Sequence, residues 1–138
     1  MDEVIEQLQS ASETVPVPLE LPDEDDLLDI EESLHFTLPA SLREFLLTVS
    51  DVVLPPLEPV TAADPTSHTF FPDVLIEARQ AGVPLEYLPF CRYPNGRDYY
   101  CLTAAEEVVS WPDPENRTDY ESIWEWALRV WLANSEPS

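Results

Sequence analysis

The chain has 138 residues, a length that fits one domain with a hydrophobic core. Its net charge is −22, because 28 acidic residues stand against six arginines and no lysine. This negative field repels phosphate backbones and anionic lipid headgroups, so nucleic acid and membrane surfaces are excluded as expected partners and a basic protein is favoured. The alternative is that the charge only keeps the protein soluble.

The N-terminal sequence, MDEVIEQLQ, is acidic and lacks the charged-then-apolar pattern of a secretory signal. No apolar run approaches the roughly 20 residues that span a bilayer. We therefore expect a cytoplasmic protein in which Cys91 and Cys101 are reduced, buried and inert. A three-residue hairpin loop would make these cysteines face each other, and a two-residue loop would point them to opposite faces, so their adjacency stays open.

Residues 1–20 are interpreted as an N-terminal helical arm followed by a proline-rich linker, and residues 21–138 as the main domain. The arm has apolar residues at helical spacing, namely Val4, Ile5 and Leu8. Val15–Pro18 forms the linker, because each proline biases the residue before it towards an extended conformation.

Two helices are predicted next. Pro22 and the acidic run Asp23–Asp26 mark the start of the first, since carboxylates are favoured in the first turn of a helix. Its apolar stripe consists of Leu27, Ile30 and Leu34. The second opens at Leu38-Pro39, with the proline at its first position, and runs to about Ser50. Its core-facing stripe consists of Leu42, Phe45, Leu46 and Val49.

The segment after these helices is broken by prolines. Val52–Val60 is expected to form one or two short edge strands, where missing amide donors do least harm. Thr61–Thr69 is interpreted as a surface loop. A further helix is predicted at about Asp73–Ala81, with Pro72 near its start and Gly82 as its C-terminal cap.

Three antiparallel strands are predicted at roughly 86–93, 97–103 and 107–111, because aromatic-rich runs flank the turn signal Asn95-Gly96. A closing helix starts at the capping-box spacing of Thr118 and Glu121. Its broad apolar face belongs against the sheet, and it includes Ile123, Trp124, Trp126, Ala127, Leu128, Val130 and Trp131. The order of elements indicates an α+β fold, an antiparallel sheet with helices packed on it.

Catalytic and metal-binding patterns are weak in this sequence. His35 and His68, the two histidines, have no second ligand at metal-site spacing, and the acidic run at 23–26 lacks the alternation and glycine of a calcium loop. A nucleophile motif and a phosphate-cradling glycine loop are also missing. We therefore expect a non-catalytic protein without a cofactor.

Three groups of residues occur in a characteristic order: Glu31-x-x-Leu34 with Leu38-Pro39 and Arg43–Leu46; Leu88–Phe90 with Gly96–Leu102; and the helix Ile123–Leu132. Together, over about residues 22–133, they resemble the SUKH superfamily, the domain type of the yeast Smi/Knr cell-wall regulators and of many bacterial immunity proteins. The sequence departs from the family pattern at His35, at Ser50-Asp51 and at Thr103, where glycine, Asn-Gly and aspartate are usual.

The resemblance implies a compact α+β domain without a cofactor, whose usual bacterial role is to bind and neutralise a cognate toxin domain, often a nuclease or deaminase. An acidic face would dock on the basic toxin, so the partner is expected to be a basic protein. Predicted contacts are Asp23, Glu24, Asp25, Asp26, Asp29, Tyr93, Tyr99, Glu106 and Glu107. For each of these, an ordinary solvated or core role is the alternative.

Two other functions stay open. One is a cytoplasmic scaffold or regulator of the Smi/Knr type with a non-toxin partner. The other is a hydrolase that uses acidic residues with a divalent metal. The sequence does not determine the oligomeric state.

Overall fold

The structure is a computed structural model that describes residues 2–12, 20–54, 57–93, 98–111 and 120–133. Its helices are α1 (Asp2–Ala11), α2 (Glu24–Leu34), α3 (Ala40–Val49), α4 (Phe71–Ala81) and α5 (Ile123–Trp126), the last continuing as a π-helical segment (Ala127–Leu132). Its strands are β1 (Leu88–Arg92), β2 (Tyr99–Leu102) and β3 (Val108–Trp111). This single α+β domain confirms the predicted fold class. None of the described helices is long and apolar enough to cross a membrane.

The N-terminus of α2 is fixed by a capping box. Asp23 Oδ1 accepts a hydrogen bond from the N–H of Asp26 at 2.8 Å, and Asp26 Oδ2 accepts one from the N–H of Asp23 at 3.1 Å. The helix ends at His35, whose φ of 61° lies in the left-handed region that glycine favours. His35 therefore adopts the backbone conformation that suits the glycine usual at this position.

Helix α3 packs its predicted apolar stripe into the core, where Leu42, Phe45, Leu46 and Val49 are fully buried. Pro39 is the N-cap residue and precedes the helix, one position earlier than predicted. Ser50, which follows the helix, has an ordinary right-handed φ of −72°. Ser50 therefore does not adopt the left-handed conformation that glycine favours, although Asn-Gly is usual at this position.

Between α3 and α4, residues 52–54 and 57–60 form no strand, so the prediction of short edge strands is wrong for these residues. They contribute a single bridge, from Pro59 to Cys91. Proline lacks the N–H that a strand ladder needs, which keeps the pairing short. The predicted surface loop 61–69 is exposed in its middle but buried at both ends, where Thr61 and Thr69 are hydrogen-bonded to each other through their hydroxyls at 2.9 Å.

Gly82 caps α4 as predicted. Its φ is 113°, and its N–H donates to the carbonyls of Ala78 and Arg79. The guanidinium of Arg79 then donates to the three carbonyls of the following turn, those of Val83, Pro84 and Tyr87. The half-buried guanidinium of Arg79 therefore holds the turn that leads into β1.

The three predicted strands are confirmed, in the order β1-β2-β3. A β-bulge between Pro89 and Cys91 shifts the register, so Cys91 pairs with Tyr100 and Cys101 pairs with Pro89. Both cysteines are buried free thiols, as predicted, and they do not face each other across the ladder. The predicted turn at Asn95-Gly96 lies outside the described residues.

The closing helix begins at Ser122, whose Oγ accepts a hydrogen bond from the N–H of Glu125 at 3.1 Å. The expected start at Thr118 is therefore replaced by a cap at Ser122, and Thr118 itself lies outside the described residues. Trp126 and Trp131 are buried as predicted, and Trp124 is buried too. All three belong to the aromatic core around Phe45, with ring centroids 5.7 Å from Trp124 and 5.6 Å from Trp131.

Helix α1 packs on this core. Leu8 is fully buried, and Gln9 Nε2 donates to the carbonyl of Thr48 at 3.0 Å. Val53 N donates to Ser12 Oγ at 2.8 Å, just beyond the end of the helix. The proposed boundary near residue 20 adjoins residues 13–19, outside the described part of the chain, and it stays a prediction.

Candidate interaction surface

The outer face of α2 is an acidic, solvent-exposed surface with one apolar side chain in it. Asp25, Leu28, Asp29 and Glu32 follow each other at helical spacing, and all four are exposed. Leu28 keeps 49% of its surface accessible. This set of residues is named the α2 face below.

The five acidic residues predicted on this helix have different roles. Asp23 and Asp26 are engaged in the capping box, and Glu24 forms an ion pair with Arg43 at 2.8 Å. Asp25 and Asp29 form no hydrogen bond or ion pair with any described residue. Only these two of the predicted five are free to meet a partner without breaking an internal contact.

Each arginine within the described residues is bound inside the fold. Arg43 pairs with Glu31 at 2.7 Å as well as with Glu24, Arg92 with Glu77, and Arg129 with Glu125. Arg79 is bound by carbonyls, as described above. Three of these four arginines are thus neutralised locally by glutamates, and none of the four forms an ion pair with a residue of the α2 face.

The predicted residues of the sheet are less available. Tyr99, expected to be exposed, is only 3% exposed, and its hydroxyl donates to Glu77 Oε2 at 3.2 Å. Tyr93 is half-buried and stacks on Tyr100, with ring centroids 4.3 Å apart. The prediction that Tyr99 is exposed is therefore wrong. Its side chain points from β2 towards α4, where it meets Glu77.

The two glutamates of the β2–β3 turn are also half-buried. Glu106 Oε1 accepts a hydrogen bond from the N–H of Ser41 at 2.9 Å, so this carboxylate caps α3. Ser41, through its side chain and then through its N–H, lowers the pKa of Glu106. Glu107 makes contacts of its own within the protein. The structure therefore does not bring these glutamates together with the α2 face as one free acidic site.

Glu31 links α2 to α3. Its Oε2 accepts a hydrogen bond from the N–H of Leu38 at 2.7 Å, while Oε1 pairs with Arg43. The Leu38 hydrogen bond, aided by Arg43, holds the pKa of Glu31 below its usual value. A carboxylate kept ionised in this way serves as a structural anchor, not as a general acid.

A groove lies beside the α2 face, between α2 and the segment 62–72. Its volume is about 350 Å³, and its walls are formed by Asp26, Asp29, Ile30, Ser33, Ala62, Ala63, Pro65, Phe70 and Pro72. Sequence reasoning found the two aspartates but missed the opposite wall, because nothing in a proline-rich loop pattern indicates which helix it meets. Among the described residues, no group of three or more His, Cys, Asp or Glu side chains is placed to hold a metal.

Comparisons with known proteins agree with this fold. A family model described as SMI1-KNR4 cell-wall (SUKH_5) matches residues 1–132. The chain belongs to the SUKH family. A crystal structure of a protein from Pseudomonas syringae pv. tomato is similar to this SUKH domain over 97% of its length and all of the other chain, with 51% sequence identity and a TM-score of 0.89. Among curated proteins, no match was found.

The motif residues through which this SUKH domain resembles its family, called landmarks here, hold the fold together. Glu31 holds the α2–α3 connection, Phe45 is at the centre of the aromatic core, and Phe90 is fully buried at the bulge of β1. Each of these three residues therefore contributes to the packing of the fold.

Proposed function

We propose that this SUKH domain is a cytoplasmic, non-catalytic binding protein that neutralises a cognate toxin domain through the α2 face. The family is generally non-enzymatic, which supports a binding role. The observation that carries the proposal is the contrast between four internally bound arginines and the free carboxylates of Asp25 and Asp29. A surface of this kind is complementary to a basic protein.

The mechanism is occlusion. The negative field accelerates encounter with the basic toxin, as expected when charge is concentrated on one partner. Leu28, exposed between carboxylates, provides the apolar contact that lengthens the lifetime of the complex once water is excluded. If the toxin is a nuclease or deaminase, the α2 face occupies the basic surface where nucleic acid would otherwise bind.

The test uses the tagged protein as bait in its native lysate, washed at low and then moderate salt. A protein recovered in this way is then expressed alone, together with the wild type, and together with the double variant Asp25→Lys/Asp29→Lys. We expect the recovered protein to be basic and to arrest growth when expressed alone. The wild type should restore growth, and the double variant should restore it much less.

A matched control is the double variant Glu3→Lys/Glu6→Lys. It changes the net charge by the same amount at two exposed positions of α1, away from the α2 face. Equal loss of protection in both double variants would show that overall charge, not the α2 face, is responsible. A recovered protein that does not arrest growth would contradict the toxin proposal.

The second candidate is a regulator of the Smi/Knr type, which the words "cell-wall" in the family description favour. In that case the bait recovers proteins that are not toxic. The set of recovered proteins is then the same after the low-salt wash and after the moderate-salt wash. Binding would then depend on apolar contacts, since charge attraction between exposed groups is screened beyond about 10 Å at moderate salt.

A further inference from the structure

The groove between α2 and the segment 62–72 has two chemically different walls. One wall carries the carboxylates of Asp26 and Asp29, which lie on successive turns of α2. The other is apolar and includes Ala63, Pro65 and Phe70. Among the residues that line the groove, none is basic, so the carboxylates have no cationic partner there.

We infer that this groove receives an arginine side chain of the protein partner. The inference rests on the proposed binding function and deepens it by naming the group that is recognised. Arginine has an apolar stem that can lie along the wall formed by Ala63 and Pro65, and its guanidinium can meet the free carboxylate of Asp29, while Asp26 adds negative charge beside it. Charge complementarity thus selects the occupant, and the apolar wall excludes water around it.

Arginine fits this groove better than lysine does. Its guanidinium is planar and more weakly hydrated than an ammonium group, so it loses less on leaving water for a partly apolar groove. Phe70, half-buried in the groove wall, offers an aromatic ring of the kind that guanidinium groups contact favourably. The ammonium of lysine is a compact, strongly hydrated charge and gains less from this wall.

Asp29 is the residue to change in a test. Asp26 accepts the N–H of Asp23 in the capping box, so its replacement would weaken α2 as well as the groove. Asp29 is exposed and takes no part in the cap. Glu6 provides a matched control, because it is an exposed carboxylate on α1 that belongs neither to the α2 face nor to the groove.

The probe is the blocked tripeptide acetyl-Gly-Arg-Gly-amide, titrated into isotopically labelled protein and followed by the amide shifts in NMR spectra. Ionic strength is held at about 0.15 M, where the Debye length is about 8 Å and distant charges are screened. We expect shifts centred on α2 and residues 62–72. Asp29→Asn should weaken binding about two- to fivefold, while Glu6→Gln should leave it nearly unchanged.

Three outcomes would overturn the inference. One is equal weakening by Asp29→Asn and Glu6→Gln, which would indicate general attraction to the negatively charged protein. Another is a set of shifts centred outside the groove. The third is equal affinity for the lysine tripeptide. None of these depends on the toxin, so failure here leaves the growth-rescue test of the proposed function unaffected, and failure of growth rescue leaves the arginine groove standing.

Discussion

Glu106 and Ser41 are 65 positions apart in the chain, yet Glu106 Oε1 accepts a hydrogen bond of 2.9 Å from the N–H of Ser41. Ser41 lies in the first turn of α3, whose N-cap residue Pro39 has no side-chain hydrogen bond to offer. The carboxylate therefore satisfies a free helix donor and meets the positive end of the helix dipole. Glu106 also has a φ of 63°, in a region that costs a non-glycine residue about 1–2 kcal/mol.

Replacing Glu106 by alanine removes this cap. We expect Glu106→Ala to lower the free energy of unfolding by about 1–2 kcal/mol, because a donor at the start of α3 loses its partner. Glu106→Gln keeps an acceptor and loses only the interaction of charge with the dipole, about 0.3–1 kcal/mol. Urea unfolding, compared at constant m-value, measures both. An alanine variant as stable as the wild type would show that the hydrogen bond contributes nothing.

Glu31 makes stability depend on pH in the acid range. Its folded-state pKa is lowered by the Leu38 hydrogen bond, so its contribution is fully present above its ordinary pKa of 4.5 and is lost as pH falls through the lower folded value. We expect Glu31→Ala to cost about 1.5–3 kcal/mol at neutral pH and clearly less in strong acid. Urea melts across the pH range measure this, with exposed Glu32→Ala as control. A pH-independent cost would contradict the assignment.

His35 occupies a left-handed position that favours glycine. Replacement by glycine relieves the backbone strain of about 1–2 kcal/mol but makes the unfolded chain more flexible, which offsets about 0.4–1 kcal/mol. We therefore expect His35→Gly to stabilise the protein by about 0.5–1 kcal/mol. Thermal unfolding checks this, with Ser50→Gly as the opposite case, since φ at Ser50 is right-handed. Stabilisation by Ser50→Gly, or destabilisation by His35→Gly, would be the contrary result.

The two cysteines are expected to be unreactive in the folded protein. Burial raises the pKa of Cys101 to about 12, and it raises the pKa of Cys91 further above its usual value. Both thiols are then neutral at physiological pH, and the neutral thiol is a poor nucleophile. A disulfide reagent should label neither thiol in the native protein and both in denaturant. Fast labelling of one thiol under native conditions would contradict the prediction that both cysteines are buried and unreactive.

Salt should stabilise the protein. A net charge of −22 repels itself in the compact state, and added salt screens that repulsion. We expect the melting temperature to rise by about 3–6 °C between low and moderate sodium chloride, corresponding to roughly 1 kcal/mol. Potassium chloride at the same ionic strength should give the same rise, since screening depends on ionic strength and not on which monovalent cation is present. An unchanged melting temperature would contradict the repulsion.

Local patterns in the sequence were sufficient to predict most elements. The stripe around Phe45, the acidic start of α2 and Gly82 at the end of α4 are each encoded within one or two helical turns, and the structure confirms them. The three strands follow from residue alternation and a turn signal in the same way. Even the family could be inferred, because its landmarks are short segments in a fixed order.

Contacts between distant segments decided the rest. The burial of Tyr99 against Glu77, the cap from Glu106 to Ser41, and the apolar wall that Phe70 adds to the α2 groove all join residues far apart in the chain. The spacing of apolar residues along one segment does not indicate which loop will contact which helix. In addition, the bulge in β1 changed the strand pairing that regular alternation implies. The sequence alone determined the elements and the sign of the charge. The packing of those elements decided which carboxylates stay free, because a carboxylate already bound by a backbone N–H or an arginine is not available to a partner.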